Sequence, residues 1–89
     1  MRAFVRTNQF KGDFKGARKR GNDPSKLFDL VSRLAEGEHL ERKHNDHALA
    51  GDFSDRRECH IEPDWLLIYR LTEKELILIR TGTHSDLFE

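Results

Sequence analysis

The 89-residue chain has little of most things that stabilise a small fold. One cysteine, Cys59, excludes an internal disulfide and fits a reducing compartment. No apolar run approaches the roughly 20 residues that span a bilayer, and the N-terminus lacks the apolar region of a signal peptide. No membrane association and a cytoplasmic location are therefore expected. Neither CxxC nor HExxH occurs, so no metal and no cofactor is predicted. Apolar residues make up only 36%, so the core must be thin. Repeats, low-complexity tracts and linkers are lacking, and residues 1–89 read as one domain.

Net charge is also lacking, but the zero conceals a division. Residues 1–20 carry seven Lys/Arg against Asp13, a net of +6, and the remainder carries nine basic and fifteen acidic residues, a net of −6. A basic face on a neutral protein points to an anionic partner such as nucleic acid, although a solvated helix face has the same composition.

Residues 2–6 alternate and predict a first strand. Thr7 or Asn8 can cap the helix that follows. Phe10, Phe14 and Ala17 form its buried stripe, while Lys11, Lys15 and Arg18 form a basic ridge about 100° away. Asp23 caps a second helix with Pro24 at its first position; its apolar side includes Leu27, Leu30, Val31 and Leu34, and Gly37 ends it. Residues 38–52 are polar and contain His39, His44 and His47, which reads as a loop. A strand over residues 53–60 follows. The order β-α-α-β-β-β predicts an α+β domain, an antiparallel sheet of four to five strands with an N-terminal helical hairpin on one face.

The organising stretch is Cys59 to Arg70, which holds the long apolar run Trp65 to Tyr69. Pro63 cannot donate to a sheet ladder, so the central strand starts after it and is covered on both faces. A turn centred on Glu73-Lys74 sets the next register: Leu71 faces Leu76, Tyr69 faces Leu78, Leu67 faces Arg80, Trp65 faces Gly82 and Asp64 faces Thr83. A hairpin through Ile61-Glu62-Pro63 folds His60 back against Asp64 or Trp65. His60, Asp64 and His84 therefore meet at one rim of the sheet.

Imidazoles beside a carboxylate suit proton transfer, one ring accepting while another donates. Cleavage of RNA needs those two roles, with the ribose 2′-OH as nucleophile. It also needs cations for phosphate and aromatics for splayed bases, which Arg80, Trp65 and Phe88 can supply. Each residue also has a plainer role open to it: Trp65 in the core, His60 at a strand end, Asp64 in a turn beside proline.

Three segments taken in order closely resemble YafQ-like toxins of the RelE/ParE superfamily of bacterial toxin–antitoxin systems. They are Asp46-His47-Ala48-Leu49-Ala50-Gly51, the run from Arg57 to Tyr69, and the run from Arg80 to Phe88. Ala48 departs from the family motif, which has proline there. The resemblance implies a compact RelE-like domain and a ribosome-dependent mRNA endonuclease that cuts A-site codons. It places His47, His60, Asp64, His84 and Phe88 in the catalytic group, with Trp65 beside them. His84 and His60 become the acid/base pair and His47 an alternative base, with Asp64 orienting an imidazole and Phe88 positioning substrate. The basic first helix would meet ribosomal RNA. The implied partners are a cognate DinJ/RelB-like antitoxin and the 70S ribosome with mRNA, with a monomeric free toxin and a heterotetrameric complex. A ParE-like gyrase poison and a simple RNA-binding module are the competing functions.

Overall fold

The computed structural model describes residues 1–51 and 55–88. Five strands, β1 (Ala3–Arg6), β2 (His47–Ala48), β3 (Arg57–Glu62), β4 (Trp65–Leu71) and β5 (Glu75–Gly82), form one sheet in the order β1-β5-β4-β3-β2. Helices α1 (Asn8–Lys19) and α2 (Pro24–Ala35) cover one face, and α3 (His84–Phe88) follows β5. The α+β class and the helical pair on one face agree with the sequence reading. Among the described residues no helix is long and apolar enough to cross a membrane.

Thr7 is the cap of α1, its hydroxyl accepting from the amide of Phe10. Asp23 does the same for α2 through the amide of Ser25, with Pro24 in the first turn. Phe10 and Ala17 of α1 and Leu27, Leu30, Val31 and Leu34 of α2 pack on Cys59, Leu67, Tyr69, Leu76 and Leu78. The central strand β4 is buried from Trp65 to Tyr69, which explains its unbroken apolar run.

Five expectations need correction. The sheet is mixed, because β1 runs parallel to β5, pairing Ala3 with Glu75 through Arg6 with Leu78. A parallel pair needs a long crossover, and the helices and intervening strands provide it. Thr7 fixes the exit of β1, its amide donating to the carbonyl of Leu78 and its hydroxyl to that of Ile79. The β4–β5 register agrees with the turn arithmetic at Leu71–Leu76 and Tyr69–Leu78, then slips by one. Leu67 faces Thr81, Leu66 faces Gly82 and Ile68 faces Arg80. A bulge at this point places an extra residue, Ile79, on β5, and just beyond it Asp13 of α1 receives Arg80.

The β3–β4 hairpin turns at Pro63-Asp64 instead of Ile61-Glu62-Pro63, so His60 faces Leu66 and Glu62 faces Trp65. The segment read as a loop contains a short 3₁₀ turn, Arg42–His44, and the edge strand β2, whose His47 pairs with Glu58. Finally, α3 was not anticipated. Its signal is Thr83-His84-Ser85-Asp86, in which Thr83 Oγ1 accepts from the Asp86 amide and Asp86 Oδ2 from the Thr83 amide. That reciprocal pair is a capping box. The expected start of the third strand, residue 53, lies outside the described residues.

Leu67 is fully buried between the helices and the neighbouring strands. Leu67→Ala should therefore cost about 2–5 kcal/mol of stability, read from the midpoint and slope of urea unfolding. A loss below about 1 kcal/mol would show that the helices do not close on this strand.

Candidate active site

The site lies along one rim of the sheet, assembled from β2, β3, the β3–β4 turn and α3. Alternation along β3 sends Cys59 into the core and leaves Glu58 and His60 on the opposite face. Pro63 and Asp64 make the two-residue turn beyond β3, which presents the Asp64 carboxylate at the sheet end. α3 starts opposite that turn and brings His84 to it.

Asp64 Oδ1 accepts from both the amide of His84 at 3.0 Å and its Nδ1 at 2.6 Å. The ring of His60 lies edge-to-face on that of His84, with centroids 5.6 Å apart. His60 Nε2 is 3.4 Å from Glu58 Oε1, and His47 Nε2 is 3.9 Å from the same oxygen. His47, His60, Asp64 and His84 are thus joined in a chain of contacts, in which Glu58 links His47 to His60 and His60 touches His84. The contact of Asp64 with His84 arises from the turn and the helix, where strand pairing with Thr83 was expected.

Sequence reasoning missed Glu58. The side chain is 8% exposed and faces two imidazoles across one oxygen. Its signal was the spacing Glu58-Cys59-His60, which puts a carboxylate and an imidazole on the same face of a strand.

Several contacts fix the imidazoles. Tyr69 Oη donates to Asp46, and Arg57 pairs with Asp46 at 3.3 Å, which anchors the segment just before His47. His47 Nδ1 lies 2.7 Å from the carbonyl of Asn45, and His44 Nδ1 lies 2.7 Å from that of His60. A carbonyl can only accept, so each Nδ1 carries the proton and, in the neutral ring, Nε2 holds the free lone pair. The Asp64 carboxylate imposes the same arrangement on His84. At the rim, His84 therefore keeps Nε2 as its lone-pair nitrogen on an exposed ring, whereas Nε2 of His47 faces the Glu58 carboxylate.

Asp64 is held below its ordinary value of 3.8, first by the amide of His84 and next by its imidazole. Burial and neighbouring carboxylates push the Cys59 thiol well up, so it is no nucleophile at neutral pH. Among the described residues no group of three or more His, Cys, Asp or Glu could hold a metal ion.

The remaining predicted residues divide. Trp65 is 2% exposed and its Nε1 donates to Thr81 Oγ1 at 2.9 Å, so it is core and cannot stack on a base. Arg80 is held by Asp13 through Nε at 2.9 Å and Nη2 at 3.0 Å. Phe88 is 52% exposed and lines a cavity of about 270 Å³ with Gln9, Leu49, Ile68, Ile79 and Arg80. On the far side of α1, Lys11, Lys15 and Arg18 line a cleft of about 530 Å³ with Arg6 and Lys19, and Phe10 and Phe14 form its floor. The Arg18 guanidinium lies 6.0 Å from the Phe14 ring.

One pH effect follows from Asp64. Bonds that favour the ionised form add stability above the unfolded pKa, and that stability is lost as pH falls through the lower folded pKa. Docking of α3 should thus persist through the ordinary carboxylate range and loosen only below it. Hydrogen exchange at the His84 amide, followed from about pH 6 to pH 2 against the amides of β4, checks this. Loosening near neutral pH would mean that the carboxylate does not hold the helix.

Residues 2–89 match the family described as bacterial toxin of type II toxin–antitoxin system, YafQ. The mRNA interferase toxin YafQ of Escherichia coli K12 is 43% identical over 83 residues, which cover 92% of this chain and 90% of that protein. Among solved structures, a copper-bound mutant toxin from Helicobacter pylori superposes with a TM-score of 0.95 at 40% identity, covering 99% of this chain and all of that one. The E. coli DinJ–YafQ complex gives 0.92 at 41% identity, covering both chains fully. With a family match over residues 2–89, this extent of identity and a fold that superposes on YafQ, the chain belongs to the YafQ family of toxins from type II toxin–antitoxin systems.

Proposed function

We propose that the protein is a ribosome-dependent mRNA endonuclease that cuts codons in the A site and so stops translation in the cytoplasm. The observation that carries this reading is the rim itself: a carboxylate-bound imidazole, His84, in ring contact with a second imidazole, His60. The name of the E. coli relative, mRNA interferase, supports the same chemistry.

In this mechanism one imidazole takes the proton of the ribose 2′-OH, and the 2′-oxygen attacks the adjacent phosphorus. The bond from phosphorus to the 5′-oxygen breaks, and a second, protonated imidazole gives that oxygen its proton. The products are a 2′,3′-cyclic phosphate and a 5′-hydroxyl. His84 and His60 fill the two roles, with His47 as alternative base, and no step passes through a metal. Asp64 fixes the His84 tautomer and its direction. Arg80 meets phosphate and Phe88 positions a base beside it.

The exposed cations Lys11, Lys15 and Arg18 meet ribosomal RNA away from the rim. An antitoxin of the DinJ kind silences the protein, as the complex of the E. coli relative suggests. The free toxin is a monomer and the inhibited complex a heterotetramer.

Primer extension on cellular mRNA after expression should show new 5′ ends phased with codons. Intact mRNA with blocked DNA supercoiling would instead mark a gyrase poison. His84→Ala or His60→Ala should lower the single-turnover rate on programmed ribosomes by about 10²–10⁴. Replacing Lys11 and Lys15 together should weaken ribosome binding and flatten its salt dependence, leaving that rate at saturation unchanged. A His84→Ala protein that cuts at the wild-type rate would remove the rim from the mechanism.

A further inference from the structure

Helix α1 has three faces, and the third has no role in the account above. Phe10 and Ala17 face the core, while Lys11, Lys15 and Arg18 are exposed. At about 100° per residue, Gln9 and Arg20 fall within about 40° of Asp13, and the basic ridge lies roughly 140–160° from it. Each member of this third stripe meets the segment that carries the rim. Gln9 lines the cavity beside Phe88, Asp13 binds Arg80, and Arg20 Nη2 pairs with Asp86 at 3.0 Å.

Asp13 is the only acid of α1 and makes three bonds there. One carboxylate oxygen accepts from Arg80 Nε at 2.9 Å and from the Thr81 amide at 3.3 Å, and the other accepts from Arg80 Nη2 at 3.0 Å. A two-point fork fixes the plane of a guanidinium, which a single bond cannot do. The β4–β5 register slips immediately before Arg80, and bulges re-aim side chains next to functional sites. With Nε and one Nη2 hydrogen engaged, three N–H donors are left, on the part of the guanidinium turned away from Asp13. Arg80 also forms part of the wall of the Phe88 cavity.

We propose that Asp13 is a positioning residue, whose carboxylate orients Arg80 so that its remaining donors meet an RNA phosphate beside Phe88. This rests on the endonuclease reading given above. A plain staple between α1 and β5 would account for the ion pair alone. The slip in register beside Arg80 and the two-point fork that fixes the plane of its guanidinium are what a staple does not require.

The test uses the full chain on ribosomes programmed with mRNA, and with mRNA carrying a 2′-deoxy sugar at the scissile position for binding. Asp13→Asn keeps the shape and removes the charge. It should lower single-turnover cleavage at saturating toxin by a factor on the order of 10², the loss expected of a misplaced group. Arg80→Ala should fall as far, the double variant no further, and Arg80→Lys should not rescue. The slope of log affinity against log salt should become shallower by about 0.7 in both single variants, the loss of one phosphate contact.

A wild-type rate in Asp13→Asn with a lower unfolding temperature would show a staple and overturn the proposal. So would a steeper slope, because Arg80 would then bind phosphate better when released. If Asp13→Asn fails to fold, Asp13→Glu keeps the charge while displacing the guanidinium and gives the same readings. A wild-type protein that leaves ribosome-bound mRNA uncut would overturn the endonuclease reading itself and this proposal with it.

Discussion

The rim depends on one carboxylate oxygen. Asp64 Oδ1 takes the amide and the imidazole of the same residue, His84, and thereby joins the β3–β4 turn to the start of α3. Beside that junction, the helix is held by its own cap, by the Arg20–Asp86 pair and by the ring contact of His84 with His60. Close approach is equally necessary. A Cβ on Gly82 would sit 2.9 Å from Cβ and Oδ2 of Asp86, so glycine is what lets α3 fold back against the end of β5. His84 and Phe88 lie four residues apart on the helix, about one turn, so the same junction places the imidazole and the aromatic ring along one side.

A second group of contacts holds the opposite end of the rim. Tyr69 is a core residue of the central strand, yet its hydroxyl reaches Asp46, which Arg57 also binds. Burial and this contact raise the phenol far above its ordinary range, so it stays a donor at every relevant pH. Core packing of β4 is in this way transmitted to the backbone that presents His47. The sheet therefore does more than support the site: its central strand positions the segment before His47, and its hairpin turn carries Asp64.

The sequence was legible where one element decides the outcome and illegible where two compete. Thr7, Asp23 with Pro24, and Gly37 marked the ends of the helices because capping is local chemistry. The run Trp65 to Tyr69 announced the central strand for the same reason. The convergence of His60 and His84 was read correctly from a register that was wrong by one residue beyond Tyr69. It survived because Asp64 and His84 are joined through a turn and a helix cap, neither of which depends on that register. The bulge was invisible, and so was the pairing of Arg80 beyond it with Asp13, 67 residues away in the chain. Trp65 misled for a related reason: an indole beside a rim carboxylate looks functional, but its partner Thr81 lies across the sheet in the core.

The rim is open: the side chains of His84 and Asp64 are 55% and 65% exposed. In water a charge pair at that exposure gains little, because solvent screens it and competes for its hydrogen bonds. Its geometry is nevertheless fixed in the free protein by a backbone amide, the helix cap and the turn. Covering the site with RNA would remove the competing water and lower the local dielectric, and every contact already in place would then act more strongly on charge developing at the phosphate. In the proposed mechanism, preorganisation without burial would let the free protein avoid the desolvation cost of a charged cluster and defer it to the moment when substrate supplies the cover. Glu58 is the exception that fits the scheme. It is buried, and one oxygen of its carboxyl group lies 3.4 Å from Nε2 of His60 and 3.9 Å from Nε2 of His47, so it holds both rings from within the fold.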